Sequence, residues 1–319
     1  MPATLAIRNL SKEGRIMNSK KVNWMFLTTI LTEFMILLLI GIFYRFLSIG
    51  IVGNLIISEL ILTVPALVFV IATRTKWRDV LVFKPIKVST VLMIILFTYL
   101  TMPLVTTINA FTMLFSDNVV AEMSADILNM PFLIMLVLMG IFGPVCEEVV
   151  FRGIVHSGYR KSGTALQAMF FSAFLFGFMH MNFNQSIYAF VIGFLLVLLK
   201  EATGSMWGSV VYHVVFNSNT VIMLYASEKW LKDFTDNATE VLDTNTLIIT
   251  ISISMVVAAI TIAIAGCCLV WIANNENRKE YLAGIWNNRK IGRGRMITIP
   301  LVISVILCLA YMILQLFLQ

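Results

Sequence analysis

Apolar residues gather in long blocks along this chain, and short polar stretches divide the blocks. A helix needs about 20 mainly apolar residues to cross roughly 30 Å of hydrocarbon. Blocks of that kind at 24–44, 51–72, 88–108, 130–151, 165–183, 187–200, 206–225, 246–272 and 297–318 predict nine transmembrane helices. The first is too long for the apolar part of a signal peptide, and no small-residue cleavage site follows it. The block at 187–200 is the weakest, spanning only about 20 Å at helical rise. It reads as a short or partly re-entrant helix, with eight crossings if it is re-entrant. The expected fold class is all-α and polytopic.

Composition supports a lipid-solvated chain. Hydrophobic residues make up 59% and charged ones 13%, against about 25% charged in an ordinary globular protein. Mean hydropathy is +0.91. A secreted enzyme, a coiled coil and a disordered tail are excluded. Cys146, Cys267, Cys268 and Cys308 lie in or beside apolar stretches and show no metal-ligand or disulfide spacing.

The net charge of +6 is explained by its placement. With a cytoplasmic N-terminus and nine crossings, the inner segments are 1–23, 73–87, 152–163, 200–205 and 273–296. They hold 20 of the 23 Lys and Arg, and the outer segments keep Arg45, Lys229 and Lys232. This is the positive-inside pattern, suited to an anionic inner leaflet. Nucleic acid is not needed as a partner. The segment 73–87, with Trp77, Val80, Leu81 and Phe83, reads as a linker at the cytoplasmic interface. Phenylalanine- and isoleucine-rich composition without an organellar presequence points to a bacterial plasma membrane.

Ionisable residues within apolar helices are the informative ones, since each costs about 2.5–3.5 kcal/mol at a helix centre. Residues 144–152 read Pro-Val-Cys-Glu-Glu-Val-Val-Phe-Arg. Glu148 and Arg152 are four apart and can pair on one face. Glu147 points elsewhere and is left for another role. Gly143-Pro144 should kink the helix just before it. His180 follows Phe176 by one turn, and His213 precedes Asn217 by one turn. Measured from the expected turns near 162 and 204, Glu147, His180 and His213 lie about 22, 27 and 14 Å away. They share a layer if the fourth and fifth helices project about 10 Å further into the cytoplasm, and the site would then open inward. Glu33 and Glu59 lie mid-span at similar depth, either packed beside polar partners or bordering an access path. His156 reads as interfacial.

At these residues the sequence resembles a known family. Glu147-Glu148-x-x-x-Arg152, Phe176-x-x-x-His180 and His213-x-x-x-Asn217 match the three motifs of the CAAX-protease and bacteriocin-processing family, also called Abi, in order and spacing. The resemblance covers about residues 140–220. It divides the chain into an N-terminal segment with three helices (1–129), a catalytic helical core (130–225) and an outer loop with two helices (226–319).

The resemblance implies intramembrane endopeptidase activity. A carboxylate in such a site can take a proton from water. Glu147 is read as the base, with His180 orienting the water. His213 and Asn217 would stabilise the oxyanion, and Glu148 with Arg152 would position Glu147. No cofactor is then required. The rival is zinc hydrolysis, with Glu147, His180 and His213 as ligands and one position for water. The expected partners are the bilayer and a peptide or membrane-anchored substrate cleaved near the cytoplasmic face. Two other classes compete: a non-catalytic scaffold or bacteriocin-immunity protein, and a transporter using the Glu/His cluster as a proton relay.

Overall fold

A computed structural model describes residues 17–43, 46, 49–116, 123–235, 244–287 and 294–318. The basic segment before residue 17 and Arg45 fall outside them. All nine apolar blocks form helices. In chain order these are α1 (Ser19–Phe43), α2 (Ile51–Ala72), α4 (Val88–Thr112), α6 (Phe132–Ser162), α7 (Ala165–Met179), α8 (Phe183–Thr203), α9 (Met206–Thr235), α10 (Thr244–Asn275) and α12 (Ile299–Leu318). Among the described residues, three short helices accompany them: α3 (Trp77–Val80), α5 (Ser124–Leu128) and α11 (Lys279–Asn287). The protein is an all-α polytopic membrane protein. Seven helices among the described residues are long and apolar enough to cross a bilayer. Of the other two, α7 has 15 residues. Helix α9 is long but interrupted by Ser209, His213, Asn217, Ser218, Asn219 and Thr220.

Two boundaries correct the sequence reading. The block expected to be short, 187–200, belongs to the 21-residue α8; the short helix is α7. Asn182 is the reason. Its side chain accepts a hydrogen bond from the Gln185 backbone N–H at 3.0 Å and starts α8 there. Met181 turns the chain with φ +48°. The second correction concerns the expected outer loop from 226, because α9 continues to Thr235.

Helix α6 is the axis of the core and packs against α1, α2, α7 and α9; α8 lies against α7 and α9. Lipid supplies no hydrophobic drive between helices, so close approach of small residues matters. At Gly177 a Cβ would lie 2.6 Å from the Ser186 backbone oxygen, so only glycine lets α7 and α8 approach this closely. The α7 start is fixed by a capping box in which Thr164 and Gln167 bond each other's backbone N–H.

Two π-helical segments interrupt α6, at Leu136–Phe142 and Val149–Val155, on either side of Gly143–Glu148. Pro144 has no N–H to give to the preceding turn, which accounts for the widened ladder ahead of it. Such insertions turn side chains away from regular α-helical positions.

Candidate active site

The α6–α7 turn sits beside the start of α1, where the Ser19 N–H donates to Ser162 Oγ at 2.8 Å. The start of α9 lies at a different level: the Met206 N–H donates to Val82 O at 2.9 Å, and Ser157 Oγ meets Val80 O at 3.4 Å. The five residues from Ser157 to Ser162 amount to about 7–8 Å of helix. This offset resembles the one expected from the sequence, and it places Glu147, His180 and His213 in one layer.

His213 joins the two glutamates. Its Nδ1 lies 3.0 Å from Glu148 Oε1 and its Nε2 lies 3.3 Å from Glu147 Oε2. Arg152 Nη1 pairs with the same Glu148 oxygen at 3.0 Å, and both side chains are completely buried. The guanidinium also donates to Gly193 O at 3.2 Å and lies 4.2 Å from the Phe176 ring centroid. Glu148 and Arg152 are thus a buried pair, as the i, i+4 spacing indicated, but the side chain they fix directly is His213 rather than the expected Glu147. Glu147 instead faces a cavity of about 170 Å³, lined also by His180, Tyr188, His213 and Asn217.

His180 is oriented from behind. Its Nδ1 lies 2.8 Å from Phe176 O, a group that can only accept. The neutral ring therefore carries its proton on Nδ1 and its lone pair on Nε2. That Nε2 lies 4.0 Å from Glu147 Oε1. Two acceptors cannot bond each other directly, and this separation leaves room for a water that donates to both. Asn217 Nδ2 donates one hydrogen bond to Met139 O at 3.3 Å and keeps a second N–H for the cavity.

Among the described residues, no group of three His, Cys, Asp or Glu side chains is gathered closely enough to hold a metal ion. Glu147, His180 and His213 share a layer without converging in that way.

The sequence reading has the site open toward the basic face, whereas the cavity extends away from it. Its lining passes from Glu147 to Met139, Gln185, Thr220 and Val221, away from the α6–α7 turn. Side chains fill the opposite side. Lys200 Nζ donates to Arg152 O and lies 3.1 Å from His156 Nδ1. His156 Nε2 lies 3.1 Å from Glu201 Oε1. Tyr281 donates to Glu201 as well, and burial raises the pKa of this phenol, which keeps it protonated. His156 is buried in this network and does not reach the cavity. The roles of Lys200 and Glu201 escaped the sequence reading, because charges beside a helix end look interfacial until α6 and α11 close over them.

Residues 129–219 match the family model for Type II CAAX prenyl endopeptidase Rce1-like proteins. The family resemblance is borne out over this segment. The match contains every motif residue just placed, from Glu147 to Asn217. The chain is also 27% identical over 90 residues to the Bacillus subtilis (strain 168) protein named "Putative membrane peptidase YdiL". That similarity covers 28% of this chain and 37% of the relative's length. No solved structure matches the chain.

Proposed function

We propose that this protein is an intramembrane endopeptidase in which Glu147 activates a water molecule held between its carboxylate and His180. The observation that carries the reading is the 4.0 Å separation of Glu147 Oε1 and His180 Nε2, both acceptors. A water there donates one proton to each and turns its lone pairs toward the cavity. Glu147 takes a proton as the water oxygen attacks the scissile carbonyl carbon, then returns it to the leaving nitrogen. Asn217 donates to the developing oxyanion. His213, held from behind by Glu148, keeps its Nε2 edge 3.3 Å from Glu147 Oε2 and limits where that carboxylate can lie. The resemblance to endopeptidases and the name of the Bacillus relative support the reaction class.

The hydrolysis is metal-free in this reading, since the three candidate ligands do not converge. The substrate is a peptide or a membrane-anchored chain bound in extended form. With the basic face in the cytoplasm, the cavity lies toward the outer half of the bilayer.

The test compares membrane-fraction peptide termini from cells producing wild type, Glu147→Ala or His180→Ala at equal protein levels. Termini present only with wild type identify both proteolysis and substrate. Identical termini in all three, with the cellular phenotype retained, refute the peptidase reading and favour a scaffold. Activity on that substrate should survive exhaustive chelation; its loss, with recovery on adding zinc, would replace the metal-free mechanism.

A further inference from the structure

A second cavity, of about 130 Å³, lies across Glu147 from the first. Glu147, Met139 and Asn217 line both. The remaining walls are Leu55 and Glu59 from α2, and Leu138, Phe142, Gly143 and Pro144 from α6. The two cavities differ in chemistry. The first presents His180, His213, Gln185 and Tyr188. The second presents two carboxylates, Glu59 and Glu147, and no Lys, Arg or His lines it.

Glu59 is drawn in against the backbone of α6. A Cβ on Gly143 would lie 3.0 Å from Glu59 Oε1, so glycine permits the approach. Glu59 Oε2 is buried and accepts no hydrogen bond. A buried acceptor without a donor is costly, and two carboxylates on one small apolar cavity favour a cation or a strong donor.

We propose that this second cavity is a binding site for a primary ammonium group, the new N-terminus of the departing peptide, with Glu59 as its principal acceptor. The proposal rests on the peptidase reading. Hydrolysis adds the water oxygen to the carbonyl carbon and breaks the C–N bond. The nitrogen receives the proton that Glu147 took from the water and leaves as an amine. A second proton from solvent makes it an ammonium at neutral pH. The acyl half stays on the side of the histidines, where Asn217, at the boundary of both cavities, reaches its oxyanion. The amine half emerges on the side of the carboxylates. Glu59 is therefore a specificity-determining residue for the leaving-group side and a holding point for product.

Binding tests this without knowledge of the natural substrate. Purified full-length protein in detergent is titrated with an apolar tripeptide amide bearing a free N-terminus and with its N-acetyl twin. Wild type should prefer the free amine by about tenfold, as expected for a charged group meeting a buried partner. Glu59→Gln should reduce the ratio to near one, whereas Glu59→Asp, which keeps the charge, should retain a preference. Thermal scans confirm that both variants are folded. Equal binding of the twins by wild type, or an unchanged preference in Glu59→Gln, overturns the proposal. Cleavage is read separately from the membrane termini. Amine preference without cleavage leaves the subsite standing and removes the peptidase reading; cleavage without amine preference removes the subsite alone.

Discussion

Glu147 and Glu148 are neighbours in sequence with opposite fates. Glu148 is sealed between Arg152 and His213, while Glu147 is 18% exposed and faces the cavity. The same change should therefore act differently at each. Glu147→Gln should leave thermal stability near wild type and lower cleavage by about 10²–10⁴-fold, the usual contribution of a general base. Glu148→Gln strands a buried guanidinium, and breaking such a pair costs about 3–5 kcal/mol. It should lower the unfolding temperature in detergent and the yield of folded protein. Equal stability losses in the two variants would show that their assigned roles are wrong. The Glu148–Arg152 pairing was legible from spacing alone. That His213 bridges both glutamates was not, because α6 and α9 meet only in the folded core.

Among the elements, α6 carries the most chemistry and departs furthest from a regular helix. Its two π-helical segments bracket the six residues Gly143–Glu148. Sequence indicated a kink at Gly143-Pro144, but the second π-helical segment, at 149–155, has no proline to announce it. The α7–α8 contact is equally demanding. Gly177→Ala would press a methyl group on Ser186 O and move the end of α7 that bears His180. It should reduce cleavage together with thermal stability, and activity at wild-type level would show that the helices can separate without cost. On the other side of the site, Lys200 ties α8 to the Arg152 carbonyl and His156 of α6. Lys200→Met removes that buried donor and should destabilise the protein, whereas Lys161→Met, at an exposed position, should not. Paired thermal scans decide between them.

At the scale of the whole molecule, the sides of the bundle differ in charge and in openness. The basic segments gather at the α6–α7 turn and the starts of α4 and α9, and the cavity extends the other way. With the basic side cytoplasmic, a membrane-impermeant thiol reagent added to intact cells should label Gln185→Cys and spare Lys161→Cys, in a background lacking the four native cysteines. Labelling of Lys161→Cys alone would invert the orientation and bring the site to the cytoplasmic side.

Several properties were fixed by sequence alone. Continuous apolar blocks dictate helices, because a backbone in hydrocarbon must satisfy its own hydrogen bonds. Isolated charges within those blocks, Glu147, Glu148, Arg152, His180 and His213, mark a site because burying them costs so much. Tertiary structure decided what depends on the meeting of distant elements. Asn182 ended one helix and capped the next, which moved the short helix from the sixth apolar block to the fifth. Lys200, His156 and Glu201 fill one side of the layer, and the cavity extends on the other. The close approach of α2 at Gly143 brought Glu59, whose surroundings the sequence left open, to the edge of the site. No local pattern encodes these outcomes, since each depends on which surfaces come to share a volume too small for water and for both side chains.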